Sequence, residues 1–257
     1  DFSGSDDMER MVKRTEKQIG KFDGEVLPFL IEELINADSE SAAYLGKSIA
    51  YNKADGVETI IEAWKSHEGD DFAIINIIQA LSAFKVPEVR KAVPKLIAAT
   101  RSNNPHVKAM ALSTIGILSL NISMDILDEK VRKAMFNAVF SLLGDQKPLV
   151  RKNAARTLGK MHKKHILTRE QEGKVHSSFT SMLGKDGKHN WDREFIVRHE
   201  IEHFIHFFTA KTTLADRYRQ SFRIFSKREL CHNTFHYEVE APLIAKKMKA
   251  GQFVIVR

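Results

Sequence analysis

The sequence predicts an all-α chain. We expect a right-handed α-solenoid of stacked helix pairs over residues 1–210, a helical linker over 211–221 and a short truncated β segment over 222–257. Three observations support this reading. Val89-Arg-Lys-Ala-Val-Pro-Lys-Leu-Ile-Ala98 returns as Val131-Arg-Lys-Ala-Met-Phe-Asn-Ala-Val-Phe140, a shift of 42, and Asn104-Pro-His-Val107 is echoed by Lys147-Pro-Leu-Val150 at a shift of 43. Self-similarity at that period is the signature of helix pairs that cannot bury their apolar stripes alone and must stack on one another. At Phe222 the helical period gives way to runs rich in β-branched and aromatic residues, the composition of strands.

Taken in order, a leading helix is expected near residues 6–19. The first pair follows as Glu25–Leu34 with Ser41–Gly46, and the second as 56–67 with 71–84. The repeated segments supply the third and fourth pairs, in which Pro105 and Pro148 stand where a helix begins, a place where a missing amide hydrogen costs little. Ala154, Ala155 and Gly159 are small enough to let helix axes approach closely, while Leu149, Val150, Leu158 and Met161 supply the apolar surface between them. A fifth pair, 168–183 with 191–208, closes the solenoid after the Gly184–Asn190 turn, and Thr212–Gln220 reads as a short linking helix. Three strands are then expected, in Phe222–Leu230, Thr234–Glu240 and Phe253–Arg257.

Two resemblances follow from these residues. The run Asp145-Gln-Lys-Pro-Leu-Val-Arg-Lys-Asn-Ala-Ala-Arg-Thr-Leu-Gly159 resembles the second half of a HEAT unit: a turn aspartate, a helix-starting proline, Val-Arg, paired alanines, then Leu-Gly. The tail, with Ala241-Pro-Leu-Ile-Ala245 and Gly251-Gln-Phe253, resembles the opening of the flavin-binding barrel of ferredoxin-NADP reductase-like proteins, including the electron-transfer subunits related to sulfide dehydrogenase and dihydroorotate dehydrogenase. Ala250 stands where that family usually has proline. The resemblance implies that the complete polypeptide binds FAD and NAD(P) beyond Arg257, and that no cofactor-binding residue lies in this chain. The family's flavin-contacting segment falls after the last residue given, so the chain is expected to be a piece of a longer protein.

The bulk numbers agree with a protein that folds in water. No apolar run reaches the length of a membrane span, and Asp1-Phe-Ser-Gly-Ser-Asp-Asp7 has neither the basic flank nor the apolar centre of a secretory signal. Cys231 is the one cysteine of the sequence, so no internal disulfide forms; a cytoplasmic location is expected, with Cys231 an ordinary strand residue. The net charge of +7 conceals a gradient, because residues 1–73 carry 8 Lys/Arg against 17 Asp/Glu while the remainder is strongly basic.

Two constellations bear on chemistry. His199-Glu200-Ile201-Glu202-His203 fits H-E-x-x-H, in which two histidines one helical turn apart hold zinc and the glutamate activates water. Val197, Ile201, Phe204 and Phe208 form the apolar stripe of that helix, which places His199 and His203 on the opposite, solvated face. These two histidines are therefore secondary candidates for a metal, and no catalytic residue is assigned. Lys152, Arg156, Lys160 and Lys163 recur at helical spacing and form a cationic stripe, the candidate interaction surface. The reading that follows is a non-catalytic interaction scaffold from a flavin-dependent NAD(P)H electron-transfer oxidoreductase, docking a protein partner or neighbouring subunit of a redox complex. The alternatives are a basic solenoid that binds nucleic acid and a metal-dependent hydrolase using His199, Glu200 and His203.

Overall fold

The computed structural model describes residues 24–121, 127–187 and 191–208, together with Gln18 and the backbone of 223–231 and 234–240. The expected leading helix, the linker over 212–220 and the third strand fall outside the described residues. The chain divides into two compact units, Asp1–Thr209 and Ala210–Arg257.

Among its described residues, the regular structure of the first unit is all helical. Its elements are α1 (Leu27–Asn36), α2 (Ser39–Ala50), α3 (Lys53–Ser66) and α4 (Asp71–Leu81), then a 3-10 turn (Pro87–Ala92) running into α5 (Val93–Ala99), followed by α6 (Pro105–Asn121), α7 (Glu129–Ser141), α8 (Pro148–Lys163), α9 (Arg169–Met182) and α10 (Phe195–Ile205). Consecutive helices pack as antiparallel pairs, and the second member of each pair, α2, α4, α6, α8 and α10, packs against the second member of the next. An inner layer of five helices results, with the first members forming an outer layer. This is the α-solenoid the repeat predicts.

Local chemistry sets the boundaries. Asp38, Asp70 and Asp128 cap α2, α4 and α7 by accepting from backbone N–H groups of the first turn, and Thr168 with Gln171 forms a reciprocal capping box on α9. Pro28 and Pro148 sit in the first turns of α1 and α8. The repeated segment 89–98 is not one α-helix, because Pro94 has no N–H to donate to the Arg90 carbonyl. The chain turns as a 3-10 helix to Ala92 before α5 begins. α10 likewise starts at Phe195, four residues later than expected, because Asp192 accepts from the Glu194 N–H and Arg151, and the backbone up to Glu194 is held as a loop.

The core runs continuously through the stack, from Leu34 and Ile49 through Ile77, Leu81, Leu112 and Ile115 to Leu158, Phe179 and Ile201. Burying such side chains contributes about 1.5–3 kcal/mol apiece, set against the conformational entropy of ordering them. Small residues fix the spacing of the inner layer. A Cβ on Gly46 would fall 2.7 Å from the Ala80 Cα, and one on Gly159 would enter the Phe204 ring.

Polar tethers cross from each repeat to the next. Buried Asn76 on α4 donates to the carbonyls of Leu34 and Ala37 at 3.0 and 2.8 Å, Thr114 on α6 donates to Ile78 O at 3.0 Å, and Thr157 on α8 donates to Leu112 O at 2.7 Å. Charged pairs continue the series where inner helices begin. Lys108 Nζ lies 2.7 Å from Asp145 Oδ2, and Arg151 holds Asp192 with two bonds at 2.6 and 2.8 Å. Partners half-buried in this way are worth more than the exposed pairs Lys91–Glu58 and Lys95–Glu68, which sit in water and contribute little.

The second unit contains β1 (Arg223–Cys231) and β2 (Thr234–Glu240), paired antiparallel with Arg223 opposite Glu240 and Cys231 opposite Thr234. The register slips at two bulges, between Ile224 and Ser226 and between Glu229 and Cys231. The first two expected strands are thus present, and Cys231 ends the first.

Candidate interaction surface

The inner helices α4, α6 and α8, with a repeat on either side and an outer partner, have three sides committed to packing and one left over. On α6, Thr114 faces α4 while Leu112 and Gly116 face α8, which turns Met110, Ser113 and Ile117 to the open side at 100° per residue. On α8, Thr157 faces α6 and Gly159 faces α10, which turns Leu149, Arg156, Lys160 and Lys163 to the same open side. In keeping with this, Ile117, Leu149, Arg156 and Lys160 are half-buried and Lys163 is exposed. Stacked second helices of this kind line the concave surface of a solenoid. Further along the layer this side carries Tyr44 and Phe72 near one end and Ile196 at the other, all substantially exposed.

The four cations of the stripe are therefore brought together on one face, but they are not equivalent. Arg156 donates from Nε and Nη2 to the two Glu200 oxygens at 2.8 and 2.6 Å, a bidentate pair one repeat apart. Glu200 is only 8% exposed, so the guanidinium compensates a carboxylate that burial would otherwise penalise. The hydrogen bonds that Arg156 donates to Glu200, with the carboxylate's charge, hold the Arg156 pKa above the ordinary arginine value against the effect of burial. Lys160 experiences the reverse. Burial, then the adjacent Arg156 charge, push its ammonium below the ordinary lysine range, and Glu200 offsets only part of this.

Glu200 also decides how the H-E-x-x-H motif is arranged. The motif lies on α10 as expected, with Val197, Ile201, Phe204 and Phe208 buried and His199 and His203 exposed. Glu200 points to α8 and is occupied by Arg156, while the His199 ring lies 5.6 Å from that of Phe195 and His203 stands edge-on to Phe204 at 4.7 Å. The glutamate and the two histidines thus face different ways. Among the described residues no group of three His, Cys, Asp or Glu side chains is placed to hold a metal ion.

Sequence reading missed the cross-repeat ion pairs. A usable signal was present, since Lys108 and Asp145, Arg151 and Asp192, and Arg156 and Glu200 are opposite charges 37, 41 and 44 residues apart, close to one repeat. Among the described residues, no helix is long and apolar enough to cross a membrane.

Comparison with known proteins agrees with this geometry. The HEAT repeat family matches residues 135–165, which span the end of α7 and all of α8. No curated protein matches the sequence. Among solved structures, the chain is similar to the complex of CpcE and CpcF of phycocyanin lyase from Nostoc sp. PCC7120, with 19% identity, 70% of this chain and 98% of that chain covered, and a TM-score of 0.56. It is also similar to a designed armadillo repeat protein in complex with the peptide (KR)4, with 15% identity, 81% and 95% covered, and a TM-score of 0.47. The first of these likenesses shows the fold, that of a helical-repeat solenoid.

Proposed function

We propose that the chain is a non-catalytic helical-repeat scaffold whose inner helix layer docks a protein partner. The observation that carries this reading is the continuous open side of α2, α4, α6, α8 and α10, on which apolar and charged side chains from successive repeats stand half-exposed. Such a surface recognises by summing small contacts over many helices, which suits a macromolecular ligand better than a small one. The Nostoc neighbour is itself a complex of two chains, CpcE with CpcF, which is in keeping with a protein partner here. In the complete polypeptide, Ile117→Asp combined with Lys160→Glu is expected to abolish co-purification with its native partner, and the outer-layer change Glu62→Lys to leave it intact. The opposite pattern contradicts the reading.

A finer proposal concerns the second unit. We infer that the scaffold belongs to a flavin-dependent NAD(P)H electron-transfer oxidoreductase of the cytoplasm, with FAD and NAD(P) bound past Arg257. The support is positional: the antiparallel pair β1 and β2 ends at Glu240, immediately before Ala241-Pro-Leu-Ile-Ala245, and the resemblance requires two paired strands at that place. In this arrangement the solenoid holds the reductase close to its redox partner, since electron transfer needs approach and no catalytic base on the scaffold. A polypeptide continued past Arg257 is expected to purify yellow with bound FAD, and a colourless one overturns the flavin assignment.

A further inference from the structure

Lys160 is anchored differently from an ordinary surface lysine. Its Cδ lies 3.0 Å from where a Cβ of Gly116 would stand, so the missing side chain of Gly116 gives the lysine stem a seat on α6. The ammonium is carried to the open side of the inner layer next to Arg156. Arg156 already spends its charge on Glu200. Among the described residues no carboxylate lies within ion-pair distance of Lys160, nor of Lys152 or Lys163 on the same helix. Three lysines with no carboxylate in ion-pair range among the described residues, Lys160 feeling Glu200 only from farther off, thus share a face with two half-buried apolar residues, Ile117 on α6 and Leu149 on α8. The combination is a seated ammonium, flanking positive charge and apolar surface within reach.

We propose that this part of the inner face, centred on Lys160 and Ile117, is a carboxylate-binding site for an acidic segment of a protein partner, whose apolar side chains rest on Ile117. The proposal rests on the scaffold reading and specifies the chemistry of its ligand. Charge complementarity selects the occupant. A partly desolvated ammonium gains more from a carboxylate than an exposed one does, because the local dielectric is lower. Nucleic acid fits less well: the site offers few unpaired cations for a phosphate track, and α6 and α8 contain no Phe, Tyr or Trp on which bases could stack.

The test is fluorescence anisotropy of the 257-residue chain with a labelled peptide of alternating Glu and Leu, its Gln-for-Glu counterpart, and a DNA duplex of similar length. The Glu peptide is expected to bind and the Gln peptide to bind far more weakly. Lys160→Met keeps the stem on Gly116 and removes only the charge; it is expected to weaken binding by about tenfold, the scale of one desolvated charge pair. Ile117→Ser is expected to weaken the peptide as well, with unchanged circular dichroism for both variants. Peptide binding indifferent to both changes overturns the site. So does DNA binding that is tighter than the peptide's and falls with Lys160→Met but not with Ile117→Ser. If the native partner is still lost with Ile117→Ser while the Glu peptide fails to bind, the carboxylate site is wrong and the scaffold reading stands.

Discussion

Gly159 shows how much one residue can control in a layered fold. Its open space is filled by the Phe204 ring of the next repeat, so a Cβ there must push α8 and α10 apart. Gly159→Ala is expected to destabilise the protein by about 1–3 kcal/mol, the usual cost of overpacking, although alanine is intrinsically the better helix former. A lowered thermal midpoint measured by circular dichroism checks this, and an unchanged or raised midpoint contradicts it. The need for a small residue at Gly159 was legible in the sequence, but what it makes room for was not. The Arg156–Glu200 pair left only the spacing of its members as a signal, 44 residues or about one repeat, because they meet only when repeats stack. Removing the guanidinium strands a carboxylate that is 8% exposed, so Arg156→Met is expected to cost about 1–3 kcal/mol, less than a fully buried pair because the arginine side chain is 43% exposed. Adding Glu200→Gln to Arg156→Met should recover most of the loss in urea unfolding, and a double variant weaker than the single one would show that the pair is not what Glu200 depends on.

At the scale of elements, starts and stops were readable wherever a single residue type dictates them. Pro148, Asp70 and Thr168 each act on the first turn of their own helix, and the sequence displays them directly. Pro94 was readable in principle, yet its consequence, a 3-10 turn ahead of α5, depends on which carbonyl loses its donor. The beginning of α10 depends on another repeat altogether, because Arg151 of α8 clamps Asp192. This clamp carries a pH dependence. Burial raises the Asp192 carboxyl, but the bond from Arg151, the Glu194 N–H and the Arg151 charge outweigh it, leaving the pKa below the ordinary 3.8. A carboxylate whose folded pKa is depressed contributes stability that is full above its unfolded value and is lost as pH falls through the folded one. Thermal stability is therefore expected to drop on acidification below 3.8, and Arg151→Met to flatten that drop. A midpoint that falls equally steeply in the variant would remove the clamp from the account.

For the molecule as a whole, the repeat period was enough to predict stacked pairs, because a helix with an unburied stripe has few other ways to hide it. The internal direction of the layers was not, since burial and exposure of Lys152, Arg156, Lys160 and Lys163 depend on where α6 and α10 lie. What the sequence presents as one cationic stripe is in the structure an arginine spent on its neighbour and three lysines with no carboxylate in ion-pair range among the described residues. Nearest-neighbour stacking also predicts that amide protection in hydrogen exchange is greatest in α6 and α8, which have repeats on both sides and share the most extensive interface, and lower in α1 and α10. Uniform protection along the stack would argue against it. The central claim is that the open side of the inner layer is the working surface. Site-specific photo-crosslinking of the complete polypeptide in its own cells, with the reactive side chain placed at Ile117 or Ser113 on α6 and at Glu62 on α3 or Lys174 on α9, tests it most directly. Adducts to one protein partner from Ile117 and Ser113, with none from Glu62 and Lys174, are the predicted result; adducts from the outer positions alone would contradict it.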